Sequence, residues 1–133
     1  LNGSSAKLLP INTIVVSSRA TIGRVGILKK ETSTNQGFKN IILLTNNFIP
    51  EFVAHYMLSK KEELLLKSSG GTFKEISKTN FETIQIPLPP LAEQEEIVAK
   101  IEEEEKYIDG CKKMIEIYKE KIKGVIDGVV NKK

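Results

Sequence analysis

The chain has 133 residues and a formal net charge of +3, with 40% hydrophobic and 28% charged residues. That balance points to a folded, soluble chain with room for one ordinary domain and one long element, and it excludes a disordered one. No apolar run approaches the roughly 18 residues of a membrane span and no secretory signal opens the sequence. The lone Cys111 excludes an intrachain disulfide, so a buried thiol in a reducing, cytoplasmic compartment is expected.

In chain order, residues 13–17 are β-rich, follow Pro10 and Asn12, and predict a strand; residues 24–28 predict a second. Residues 18–23 form a loop between them, with Gly23 available for a positive φ. Residues 29–37 are polar and loop-like, and Ile41-Ile42-Leu43-Leu44 is a short apolar run of buried-strand length. From residue 49 to 66 the period becomes helical. Pro50 suits a first helical turn, and Phe52, Val53, Tyr56, Met57, Leu64 and Leu65 recur at helical spacing. Lys60-Lys61-Glu62-Glu63 is either the solvated middle of one helix or a break between two. Gly70 and Gly71 end the element. Residues 73–77 and 83–87 read as short strand-like pieces.

Ile86-Pro87-Leu88-Pro89-Pro90 cannot be helical, because each proline removes a donor and pushes its predecessor toward extended geometry. Residues 91–133 then read as one helix nearly 60 Å long at about 1.5 Å per residue. Ile97, Ile101, Glu104, Ile108, Cys111, Ile115, Tyr118, Ile122, Val125 and Val129 share one seam at heptad spacing, with a polar interruption at Glu104. A lone helix cannot bury such a seam against itself, so pairing with a second chain or a missing segment is expected. The simpler alternative is an amphipathic helix lying on its own domain. Glu93, Glu95 and Glu96 suit the helix start, and Lys132 and Lys133 suit its end. Gly110, Gly124 and Gly128 fall off the seam at about 1 kcal/mol each relative to alanine, which predicts fraying of the final turns. The expected architecture is α+β: a small mixed domain over residues 1–90, then a long coiled-coil-forming helix over 91–133.

Charge is split between these parts, +5 over residues 1–90 and −2 beyond them. A basic domain suits a polyanion and an acidic rod suits a protein. Catalytic chemistry is hard to find. The single histidine, His55, sits inside the apolar helical run, where a structural or surface role is expected. No Cys/His spacing fits a metal, and no Walker loop or dinucleotide fingerprint is present. Residues 102–105 form a glutamate run that reads as a solvated helix face. No enzymatic activity and no cofactor are therefore expected.

The loops offer a different chemistry. Arg19 and Arg24 flank the Thr21-Ile22-Gly23 turn, and arginine can bind phosphate or a guanine edge in a bidentate manner. Asn35 and Gln36 carry amides of the kind that pair with adenine, while residues 68–72 and Lys74 offer amides, hydroxyls and charge to phosphate. For each of these, capping a turn or facing water is the simpler alternative. The residues expected nearest DNA are Arg19, Arg24, Lys29, Lys30, Gln36, Lys39, Thr72 and Lys74, mostly against phosphate. Those expected to pair the helix are Ile101, Ile108, Cys111, Ile115, Tyr118, Ile122, Val125 and Val129.

The run Val16-Ser17-Ser18-Arg19-Ala20-Thr21-Ile22-Gly23-Arg24-Val25-Gly26 resembles a motif of the specificity subunits of type I restriction–modification systems. Asn35-Gln36-Gly37 follows it, then Gly71-Thr72 with residues 73–76, Phe81 and Ile84. Residues 86–91 with Glu93-Gln94 and Ile97-Val98 close the series, so the resemblance covers nearly all of the chain. It implies a non-catalytic subunit in which two target recognition domains each read half of a bipartite DNA site. Each domain is followed by a helix, and the two helices pair as an antiparallel spacer that docks methyltransferase subunits. Methylation and ATP-driven cleavage would belong to the modification and restriction subunits. A full recognition domain of this family is longer than about 90 residues, so residues 1–5 are expected to join it partway, in a fragment, a truncated product or half of a split subunit. A truncated coiled-coil module that assembles with other subunits without reading DNA is the alternative function. Either reading allows a homodimer or pairing with another specificity-subunit helix.

Overall fold

Ile14, Val15, Val16 and Ser17 form β1 (Ile14–Ser17), the middle strand of a three-stranded antiparallel sheet in the computed structural model, which describes residues 7–131. Residues 1–5, expected to join the domain partway, and the helix-end residues Lys132 and Lys133 lie outside the described residues. Ile14 and Val16 point to one face of β1 and are fully buried, while Val15 is half-buried on the other. β2 (Val25–Ile27) and β3 (Phe38–Ile41) flank it in the order β2-β1-β3. Ile14 stands opposite Ile27 and Ile41, and Val16 opposite Val25 and Lys39.

The third strand begins earlier than the apolar run at 41–44 suggests. On the β3 side, β1 offers no partner beyond Ile14, because Asn12 takes φ 69° and Thr13 Oγ1 donates to the Pro10 carbonyl at 2.7 Å, closing a turn there. Residues 42–44 run past the end of the strand, and Leu44 is 89% exposed. Pairing geometry overrides hydrophobicity here.

The helical segment divides into α1 (Pro50–Leu58) and α2 (Lys61–Leu66), so the break at the charged run is the alternative observed. Ser59 Oγ donates to the Tyr56 carbonyl at 2.6 Å, and Lys60 leaves helical geometry at φ −98°, ψ 12°. α1 lays Phe52, Val53, Ala54 and Met57 against Ile14 and Val16, and Ile22, Leu64, Ile76 and Phe81 complete the core. Each large apolar side chain so buried contributes about 1.5–3 kcal/mol relative to exposure.

Neither strand-like piece after α2 becomes a strand. Glu75 makes isolated bridges to Arg19 and Ser69, and the Ile76 amide donates to the Ser18 carbonyl at 3.1 Å. The chain then enters a short helix, α3 (Lys78–Phe81), whose N-cap Ser77 accepts from the Asn80 amide at 3.1 Å. Residues 83–90 have no strand pairing, and their prolines lack the donors a ladder needs.

α4 (Leu91–Val130) runs 40 residues, about 60 Å at about 1.5 Å per residue. It keeps helical geometry through Gly124 and Gly128 to Val130, since propagation along so many good helix formers outweighs the glycine cost. The α+β architecture with a long terminal helix is therefore the one observed. Two compact units make up the chain, one ending at Val98 and the other beginning at Ala99.

The first turns of α4 belong to the first unit, where Ile97 and Val98 pack against the core. Gln94 is fully buried there. Its Oε1 accepts from the Ile49 amide, and its Nε2 donates to the carbonyls of Asn47 and Pro89, all at 2.8 Å. The side chain thus satisfies the backbone on both sides of α1's start and α4's start.

In the second unit Ile108, Ile115, Tyr118, Ile122, Val125 and Val129 are 53–69% exposed. Tyr107, Met114, Ile126 and Val130 are exposed as well. Cys111, expected to be a buried thiol, is exposed, because nothing within a single helix can cover its seam. Lys121 Nζ stands 5.0 Å from the centre of the Tyr118 ring, a contact within the same helix.

Candidate nucleic-acid interface

The Ser17 end of the sheet gathers the polar motifs. Ser17 Oγ donates to the Thr21 carbonyl at 2.5 Å and accepts from the Arg24 amide at 2.9 Å, so one hydroxyl shapes the whole 18–23 loop. Gly23, at φ 92°, closes that loop with its amide on the Ser17 carbonyl at 3.0 Å. A Cβ there would lie 2.9 Å from Lys61 Cγ, so glycine also lets the start of α2 approach.

The Asn35-Gln36-Gly37 turn meets the same loop from the other side. Asn35 Oδ1 accepts from the Gly37 amide at 2.8 Å, and the Gly37 carbonyl accepts from the Ser18 amide at 2.8 Å. A Cβ on Gly37 would lie 3.9 Å from Arg19 Cδ, so Arg19 passes directly beside this turn. Residues 69–75 form the third side: Ser69 and Glu75 exchange backbone hydrogen bonds at 3.0 and 2.9 Å around the tip that holds Gly70, Gly71 and Thr72. Gly70, at φ 114°, permits that tip, where a Cβ would meet the Phe73 carbonyl oxygen at 2.6 Å.

Between the first and third loops lies an open cleft of about 390 Å³ lined by Thr21, Ile22, Lys61, Gly71, Thr72 and Lys74 among others. At its edge Arg19 Nε donates to Glu75 Oε1 at 3.1 Å. Both side chains are about half exposed, so the pair contributes only about 0.2–1 kcal/mol and matters more for orientation than for stability.

Of the residues expected near DNA, Arg19, Arg24, Gln36, Thr72 and Lys74 come together at this end. Lys29 and Lys30 do not. They follow β2 at the opposite end, beyond Leu28, whose amide bonds Thr13, about 14 Å away along four strand residues. Lys39 stands opposite the buried Val16 and lines a separate groove of about 470 Å³ with Met57, Phe81, Ile84 and Ile86.

Three residues were missed. Lys61 reads in the sequence as one of four solvated charges, and nothing short of the α1–α2 break brings it to the cleft. Phe73, beside Thr72 and Lys74, is 85% exposed, although its sequence context suggests a strand position. Glu75 is an acid within an otherwise basic set of loops, a signal of pairing that the sequence does carry. Among the described residues no group of acids, histidines and cysteines could hold a metal.

The α+β domain, whose cationic loops converge at one end of its sheet, is thus continued into a long amphipathic helix. The family model for the type I restriction modification DNA specificity domain matches residues 1–118, and the chain belongs to that family. The MjaIX specificity subunit of Methanocaldococcus jannaschii is 35% identical over 115 residues, covering 85% of this chain and 26% of the relative. The EcoR124I/EcoR124II specificity subunit of Escherichia coli is 30% identical over 101 residues, covering 71% and 25%. This chain therefore spans about a quarter of the length of these relatives.

Among solved structures, a chain from a study of complex assembly and conformational transition in the type I R-M system matches with a TM-score of 0.68 at 24% identity. That match covers 81% of this chain and 26% of the other. The type I S subunit from M. genitalium matches with a TM-score of 0.63 at 22% identity, covering 84% and 30%. These likenesses show a shared fold.

Proposed function

We propose that this chain is the C-terminal part of a target recognition domain of a type I specificity subunit, with the helix that follows it. Residues 1–90 lie against double-stranded DNA and residues 91–133 form the spacer and pairing helix. The chain recognises or positions DNA and performs no catalysis. In a full assembly it directs modification and restriction subunits to a bipartite site, in the cytoplasm.

The observation that carries this reading is the convergence of Arg19, Arg24, Gln36, Thr72 and Lys74, joined by Lys61, at one end of the sheet. Cations and donors from three separate loops on one surface suit a phosphate backbone. Lys29, Lys30 and Lys39 would reach DNA only by a second, separate contact. Ile101, Ile108, Cys111, Ile115, Tyr118, Ile122, Val125 and Val129 pair the helix with its like, in a homodimer or with another specificity-subunit helix.

Titration of a duplex at several salt concentrations tests the DNA assignment. Affinity should fall linearly on a log–log plot, and Lys74→Ala should weaken binding to all duplexes and reduce the slope by about one. Binding that ignores salt would refute it. A second reading, an assembly module that does not read DNA, is favoured by the exposed seam of α4 and would then stand alone.

A further inference from the structure

Arg19 is set apart from the other cations at this surface by how it is held. Its backbone bridges Glu75, its Cδ passes beside Gly37, and its Nε donates to Glu75 Oε1 at 3.1 Å. Three motifs distant in sequence therefore converge on one side chain. Among the described residues, the two terminal nitrogens of the guanidinium make no hydrogen bond. They project as a planar, two-pronged donor from a half-exposed position.

The Glu75 carboxylate nearly cancels the charge of this arginine. A neutralised pair is a poor counterion for phosphate, and a phosphate close to Glu75 would meet like charge. A neutral surface with two adjacent acceptors suits the fork better. In the DNA major groove the guanine edge supplies such a pair, O6 and N7. Lys61 and Lys74, across the cleft and without a carboxylate partner among the described residues, are the better phosphate ligands.

We propose that Arg19 reads a guanine through its terminal nitrogens, and that Glu75 is the positioning residue that holds the fork. This rests on the DNA-recognition reading above and adds to it a specificity-determining contact and its base. Arg24, Lys61 and Lys74 are then backbone contacts that set affinity without setting sequence.

The test uses the whole 133-residue chain and begins with selection from a pool of duplexes carrying a random central region. Each guanine of the enriched duplex is then replaced by 7-deazaguanine, which lacks the N7 acceptor, and affinities are measured by fluorescence anisotropy. At one position the wild type should lose about 5- to 150-fold. Arg19→Ala, which loses the O6 contact as well, should bind the parent duplex at least as weakly as the wild type binds the modified one, with no further loss on modification at that position. Glu75→Gln should shrink the same penalty while leaving binding to unrelated duplexes equal or tighter. Circular dichroism melts show that each variant is folded.

Equal loss by Arg19→Ala across all duplexes would make Arg19 a phosphate contact and overturn the proposal, with the DNA reading intact. A 7-deazaguanine penalty unchanged in Glu75→Gln would reduce that residue to a loop tie and overturn its positioning role. Absence of salt-dependent duplex binding by the wild type would instead overturn the DNA reading itself, and this proposal with it.

Discussion

Replacing Gln94 by leucine keeps approximate volume and removes every hydrogen bond of a fully buried amide. Three backbone groups lose their partner: the Ile49 amide and the carbonyls of Asn47 and Pro89, each bonded at 2.8 Å. A hydrogen bond contributes about 0.5–1.5 kcal/mol net, and a buried group left unpaired costs about 1–3 kcal/mol. Asn47 is exposed, so its carbonyl can turn to water; the Ile49 amide and the Pro89 carbonyl lie at half-buried residues and recover less. The expected loss is about 3 kcal/mol for the first unit, partly offset by the apolar side chain. A domain of this size has about 5–15 kcal/mol in all, so such a loss lowers Tm by about 12–24 °C. Urea unfolding followed by tyrosine fluorescence, which senses Tyr56 in α1, measures the change. Hydrogen exchange at the Ile49 amide reports the bond directly. Stability within about 0.5 kcal/mol of wild type, with Ile49 still protected, would refute the role assigned to Gln94.

Ile115→Glu places a charge on the exposed seam of α4, where the unpaired helix would tolerate it but a packed partner would not. Light scattering should find a dimer become a monomer, and an unchanged mass would refute the pairing assignment. Truncation after Val98 should likewise give a monomer, and it keeps Gln94, Ile97 and Val98, which pack within the first unit. Gly23→Ala should cost about 1–3 kcal/mol, because it puts a side chain at φ 92° and 2.9 Å from Lys61 Cγ. A thermal melt matching wild type would show that the 18–23 loop shifts freely.

The long helix was legible because its signals are local and periodic. Apolar residues at heptad spacing and the proline run before Leu91 need no knowledge of the rest of the chain. β1 was legible for the same reason, as a β-branched run bounded by Pro10 and Asn12. So were the two halves of the 49–66 segment, with Lys60 to Glu63 already marking the point of ambiguity. The basic and polar character of the loops could be read residue by residue, and the ordered motifs pointed to the family.

Tertiary structure decided what depends on a partner distant in sequence. β3 lies at 38–41 rather than 41–44 because Asn12 and Thr13 end the strand opposite it. Residues 73–77 yield only bridges because their neighbours are Ser18, Arg19 and Ser69 in loops. Sequence alone treats Lys29 and Arg24 alike, yet sheet register sends them to opposite ends. Gln94 sits among Glu93, Glu95 and Glu96 as one more polar helix residue, until the fold brings Asn47 and Ile49 to it. Periodicity travels along the chain and can be read there; hydrogen-bond partners 45 residues apart are brought together only by folding.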